Sequence, residues 1–196
     1  MERDNAPGYR AGTRQSIHLP AVDYSRLEMS FITICSSQRQ ALFGHIHENW
    51  TVLSRIGEIV RTCWTEIPQH FTNVVIESYV VMPNHLHGIL TINSKLPGSI
   101  ELPDTNSADK TANANESFGK LAANSIPTVI RSFKAAASKR ARESGLVTAG
   151  TIWQRGYCER VLRNTREYVE VTNYILLNPA RWAHDEDNPA RIAQNP

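Results

Sequence analysis

Two stretches of the chain carry histidines separated by a single residue. One is "MPNHLHGI", with His85 and His87, and the other is "FGHIHE", with His45 and His47. A neutral imidazole is a common ligand for divalent cations, so either pair could begin a metal site. The surroundings separate them. "HLHGILTI" continues as a β-branched, apolar strand, and on a strand residues i and i+2 share a face while i+1 points the other way. His85 and His87 then point together and Leu86 enters the core. "FGHIHE" lies between a strand and the start of a helix. Gly44 and Glu48–Asn49 favour a turn there, so the stretch is expected to be a loop without metal.

A second element bears on the choice. In "TNYILLNP", Tyr174 and Asn178 are four residues apart and share one face of a helix. A phenol has a free pKa of about 10 and is a weak nucleophile until charge on its target is stabilised. Asn178 can offer an amide oxygen as a third ligand. Two imidazoles and a carbonyl oxygen leave positions open for phosphate oxygens and water, a set that suits Mg²⁺ or Mn²⁺. Taken singly, Tyr174 reads as a half-buried packing residue and Asn178 as a helix end before proline.

The elements that must position these groups follow from pattern. "MSFITICSS" (29–37) reads as a buried strand. Leu53, Ile56, Val60, Cys63, Trp64 and Ile67 recur at three- and four-residue steps and predict a helix over about 49–67. "NVVIESYVVM" and "HLHGILTIN" read as strands joined by a Pro83–Asn84 turn. "SIPTVIRSFKAAASKRARES" predicts a helix capped by Ser125. "TIWQRGYCERVLR" reads as a strand. "NTREYVEVTNYILL" predicts a helix with Asn164 and Glu167 in capping-box positions, ended by Pro179. The order β-α-β-β-α-β-α suits an α+β domain with helices over one face of a sheet. Domain boundaries are expected at 1–27 (a polar arm), 28–183 (the domain, with 93–124 an Asn-, Ala- and Ser-rich inserted loop) and 184–196 (a tail).

With 196 residues, 41% hydrophobic and 20% charged, composition is that of an ordinary globular domain. No apolar run is long enough to span a bilayer, and the polar N-terminus lacks a signal-peptide core, so a cytoplasmic location with no membrane partner is expected. Cys35, Cys63 and Cys158 show no C-x-x-C spacing and predict neither disulfides nor a zinc knuckle. A net charge of +2 does not itself identify a nucleic-acid partner.

"QSIHLPAVDYS", "FITICSSQRQALFG", "YVVMPNHLHGI", "VIRSFKAAASKRA", "WQRGYCERVLRN" and "YILLNPARW" together resemble the single-tyrosine HUH transposases, in particular the REP-associated tyrosine transposases and their IS200-like relatives. The similarity runs in the family's order from about residue 16 to 182. It implies a ferredoxin-like (RRM-like) antiparallel sheet of the HUH endonuclease type. It implies that His85 and His87 are the metal pair, Asn178 the third ligand and Tyr174 the nucleophile. It also implies a divalent cofactor, Mg²⁺ or Mn²⁺. The implied activity is nicking and strand transfer of single-stranded DNA beside a hairpin, such as a REP-like palindrome, through a 5′-phosphotyrosine, by a monomer or homodimer.

Arg131, Lys134, Lys139, Arg140 and Arg142 on the third predicted helix, with Arg155 and Arg163, are candidate phosphate contacts; a solvated charged face is the plain alternative. Trp153, Tyr157 and Trp182 can stack bases or pack in the core, and for Trp153 the core is preferred. Many relatives of that family carry an aromatic residue at position 158 and histidine at 160, where this chain has Cys158 and Arg160. That departure, and the similarity's early stop after 182, motivate a second reading, a non-catalytic hairpin-binding protein.

Overall fold

The computed structural model describes residues 28–93, 125–185 and 187–189. The expected arm at 1–27, the 93–124 insertion beyond Asn93, and most of the 184–196 segment lie outside the described residues. Four strands form one antiparallel sheet: β1 (Glu28–Cys35), β4 (Val74–Val81), β5 (His85–Ile92) and β6 (Cys158–Leu162), in the spatial order β4-β5-β1-β6. Counting only these strands, the order is 2-3-1-4. With α1 (Arg55–Thr65) and α3 (Ile126–Glu143) as crossovers, this is the ferredoxin-like βαββαβ arrangement.

Strand alternation divides the sheet into two faces. One carries Ile32, Ile34, Leu86 and Leu90, which pack under Val60, Cys63 and Trp64 of α1 and Val129, Ile130 and Phe133 of α3. Gly88 lies on this face because the Trp64 indole rests on it, and a Cβ there would stand 2.4 Å from Trp64 Cζ2. The second face carries Met29, Val80 and Ile89, which pack against Tyr168, Val171 and Ile175 of α4 (Thr165–Arg181). Helices α1 and α3 form the layer expected over one face, and α4 is laid across the other. His85 and His87 alternate with Leu86 and Gly88, so they face α4.

Several boundaries differ from those the sequence predicts. "FGHIHE" is a strand rather than a loop: β2 (Gly44–His47) pairs with β3 (Trp50–Leu53) in a two-stranded hairpin. Its turn residues Glu48 and Asn49 have φ of 48° and 66°. Positive φ at both central residues is the hairpin-favouring I′ arrangement, usually marked by Asn-Gly. The helix begins only after Ser54, whose hydroxyl accepts from Gly57 N at 3.0 Å. A short helix, α2 (Ile67–His70), follows α1.

At the other end α4 runs through Pro179 to Arg181. Burial of Asn178 and Pro179 holds this last turn against the domain, which offsets the missing proline N–H. The predicted strand over 151–163 is confined to Cys158–Leu162, with Trp153 making a single bridge to Ser36. Among the described residues no helix is long and apolar enough to cross a membrane.

Candidate active site

The β4–β5 turn delivers His85 and His87 onto the sheet face beneath α4, and α4 brings Tyr174 and Asn178 over them. The two imidazole centroids are 4.4 Å apart, and His87 lies 5.2 Å from the Tyr174 ring. Tyr174 Oη is 3.2 Å from His87 Nε2. His85, His87 and Asn178 are buried, whereas Tyr174 is 38% exposed. Its ring therefore stands at the boundary between the buried pair and a cleft of about 480 Å³ floored by Phe31, Thr33 and Cys158 and walled by Glu170 and Val171.

Hydrogen bonds set which imidazole atoms face the site. Asn84 Nδ2 donates to the carbonyls of Arg39 (3.0 Å) and Asp187 (2.6 Å). Its Oδ1 is thereby turned to His85 Nδ1, at 2.9 Å. An amide oxygen only accepts, so Nδ1 carries the hydrogen and Nε2 of the neutral ring is a bare lone pair. That Nε2 is buried without a hydrogen-bond partner, and so is Asn178 Oδ1. His87 Nδ1 meets Thr33 Oγ1 at 2.9 Å, which leaves its Nε2 toward Tyr174. Anchoring one imidazole nitrogen so that the other faces a ligand is the usual second support of metal-bound histidine.

Burial disfavours charge on both rings. His85 is pushed down to about 3 by burial and then by Arg39, with the Asn178 side chain acting in the opposite direction. His87 is held well below the usual range by burial and by His85, against the pull of Asp185. Neutral rings and an amide oxygen suit a cation as their common partner. Two buried lone pairs left without a donor fit that reading. Carboxylates do not complete the set: among the described residues no group of three or more His, Cys, Asp or Glu is placed to hold a metal ion.

The remaining sequence candidates are elsewhere. His45 and His47 are exposed on β2 and are not part of this cluster. The basic residues of α3 lie on the helix over the opposite face of the sheet. Several already have work there: Lys134 donates to the carbonyls of Gln154 and Gly156, Arg140 pairs with Glu66, and Arg142 donates to Gly150 O. Lys139 approaches Glu143 at 3.8 Å, while Arg131, Arg155 and Arg163 are exposed. Trp153 is in the core, its indole N–H donating to Lys134 O. Tyr157 packs at the rim of the same core, and Trp182 sits 6.0 Å from His85.

Sequence reasoning missed the groups that orient the site: Thr33, Arg39, Asn84, Asp185 and Asp187. Asn84 was visible only as a turn residue, and the two aspartates fall in a segment expected to be a tail. Arg160 and Glu170 line the cleft as well, and the position of Arg160 opposite Phe31 on the strand pair is what brings it there.

No protein-family model matches the sequence. A protein of Haemophilus influenzae (strain ATCC 51907 / DSM 11121 / KW20 / Rd) is 35% identical over 180 residues, covering 91% of this chain and 96% of that protein. The chain belongs to the family of that protein. The Haemophilus member is designated an uncharacterized protein, so membership carries no activity with it. Solved structures of similar shape include the REP associates tyrosine transposase bound to a REP hairpin, at TM-score 0.49 and 16% identity over 92% of this chain and 74% of that one. A protein of Deinococcus radiodurans R1, at TM-score 0.47 and 12% identity, covers 79% of this chain and 92% of its own.

Proposed function

We propose that the chain nicks and rejoins single-stranded DNA beside a hairpin, with Tyr174 as nucleophile. The observation that carries this reading is the approach of Tyr174 Oη to His87 Nε2, 3.2 Å, at the mouth of a cleft with two partnerless lone-pair atoms buried behind it. The motif resemblance of "MPNHLHGI" and "YILLNP" to the single-tyrosine HUH transposases adds the reaction class.

His85 Nε2, His87 Nε2 and Asn178 Oδ1 are the atoms that would hold Mg²⁺ or Mn²⁺. When bound, such an ion supplies charge stabilisation to a phosphate oxygen and to the departing 3′-oxygen. The protein's own part is orientation. Helix α4 presents the phenol on its exposed side, and the sheet fixes both imidazoles with their Nδ1 atoms occupied. Tyr174 Oη forms a bond to phosphorus as the bond from phosphorus to the 3′-oxygen breaks. The phenolic proton is released and the 3′-oxygen takes one up. The products are a 5′-phosphotyrosine and a free 3′-hydroxyl, and the ester conserves the bond needed for rejoining by another 3′-hydroxyl. All four residues lie together within one chain, which supports a site that a single monomer completes. Arg155 and Arg163, exposed, are proposed to contact phosphates beyond the cleft; Arg131, exposed on α3, with Lys134, Lys139, Arg140 and Arg142, would add to that field from the far face.

The experiment is cleavage of a labelled single-stranded hairpin panel with Mn²⁺, comparing wild type with Tyr174→Phe. Nicking by wild type alone supports the reading. Equal nicking by both variants removes Tyr174 as nucleophile. Hairpin binding with no nicking by either supports the second, non-catalytic reading, for which Arg160 in the cleft is the favouring observation.

A further inference from the structure

The segment that leaves α4 returns to the site, where it meets the Asn178 side chain directly and His85 through Asn84. Asp185 Oδ2 accepts from Asn178 Nδ2 at 3.1 Å, and Asp185 Oδ1 accepts from the backbone N–H of Asp187 at 2.7 Å. The Asp187 carbonyl in turn accepts from Asn84, the residue that sets the His85 tautomer. Asp187 also pairs with Arg39, and the Asn188 side chain donates to Trp182 O at 2.9 Å, which pins the segment at both ends.

An amide has two ends of similar shape and opposite hydrogen-bonding sense. Asp185 offers only acceptors, so it decides the Asn178 orientation: nitrogen toward the carboxylate, oxygen inward. Without that carboxylate the amide is free to turn over and present N–H groups to the interior, where they would satisfy the bare His85 Nε2 and repel a cation. We propose that Asp185 is a positioning residue whose contact with Asn178, relayed through Asp187 and Asn84 to His85, holds an inward-facing oxygen and nitrogen lone pair ready for a divalent cation. This inference rests on the metal reading above. It assigns Asp185 no ligand bond and no place in the reaction itself.

The test measures Mn²⁺ binding to the DNA-free protein by electron paramagnetic resonance of the free ion, so activity is not the readout. Asp185→Ala is expected to weaken binding by roughly 10- to 100-fold, the usual effect of losing an outer support. Asp185→Asn retains an acceptor oxygen and keeps most of the affinity. Because Asp185 acts on Asn178 directly and on His85 only through Asp187 and Asn84, Asp185→Ala costs much less in the Asn178→Ala background than in wild type. Asp185 is half-exposed on a surface segment, and thermal midpoints of the metal-free variants report on folding independently. Wild-type affinity in Asp185→Ala overturns the inference and leaves the metal reading standing. So does an additive double variant, or an Asp185→Asn as weak as Asp185→Ala, since either makes the charge or an independent contact responsible. A wild type that binds no Mn²⁺ overturns the metal reading and this inference together.

Discussion

His85 shows how one side chain's surroundings set its chemistry. It is fully buried, its Nδ1–H is committed to Asn84, and its protonation is pushed down to about 3. In the unfolded chain the same ring titrates near 6.5. Above that value both states are neutral and this contribution to stability is fully present. As pH falls from 6.5 toward 3, the unfolded state takes up a proton that the native ring refuses, so stability is lost at about 1.4 kcal/mol per pH unit. Urea unfolding of the metal-free protein at pH 7.5 and 5.0 should show this loss, about 2 kcal/mol from His85 alone. His87, shifted in the same direction, adds to it. His85→Asn should flatten the profile by its share; an unchanged slope would contradict the burial argument. The histidine pair was legible in the sequence because strand alternation alone puts i and i+2 on one face. Asn84 and Asp185 were not, since their roles come from contacts with Asp187 and Asn178 that no local pattern encodes.

At the scale of elements, the sheet positions the site by separating its two faces within β5. Gly88 is the point where this separation is tightest, with Trp64 on one side and His87 and Ile89 directed to the other. Gly88→Ala places a methyl group into the Trp64 ring and should cost about 1–3 kcal/mol, the usual range for overpacking a filled core. Chemical denaturation checks this, and a shift below about 0.5 kcal/mol would indicate that Trp64 moves aside freely. The elements were legible wherever periodicity was long: β1, β5, α3 and the body of α4. The hairpin of β2 and β3 was not, because its turn is Glu48-Asn49 without glycine and its strands are four residues each. Apolar spacing from Leu53 onward merged β3 into the helix. Pro179 misled in the opposite sense, since a local stop signal yields where the following turn is buried.

At the scale of the whole molecule, a ferredoxin-like core places α1 and α3 behind the sheet and α4 in front, so Tyr174 is carried on the cleft side. The basic residues of α3 therefore face away from Tyr174, and any contact they make with DNA is made by strand extending around the domain. Arg155→Ala and Arg163→Ala are expected to weaken hairpin binding uniformly across loop sequences, each reducing the salt slope by about 1. Affinity titrations at several salt concentrations test this; a change in sequence preference instead would identify a base contact. The chain order of the elements followed from the alternation of strand and helix signals and the ferredoxin-like sheet from the family resemblance, whereas which face each helix covers did not follow, because α4 is apolar on a stripe that either face could accept.

The proposed strand transfer turns on Tyr174 becoming joined to DNA. The direct measurement is mass spectrometry of the Tyr174 peptide after reaction with a single-stranded hairpin carrying a cleavable flank in Mn²⁺. The prediction is a peptide heavier by the 5′-phosphorylated DNA remnant, localised to Tyr174 and absent from Tyr174→Phe. An unmodified Tyr174 in a reaction that has produced nicked DNA would contradict it.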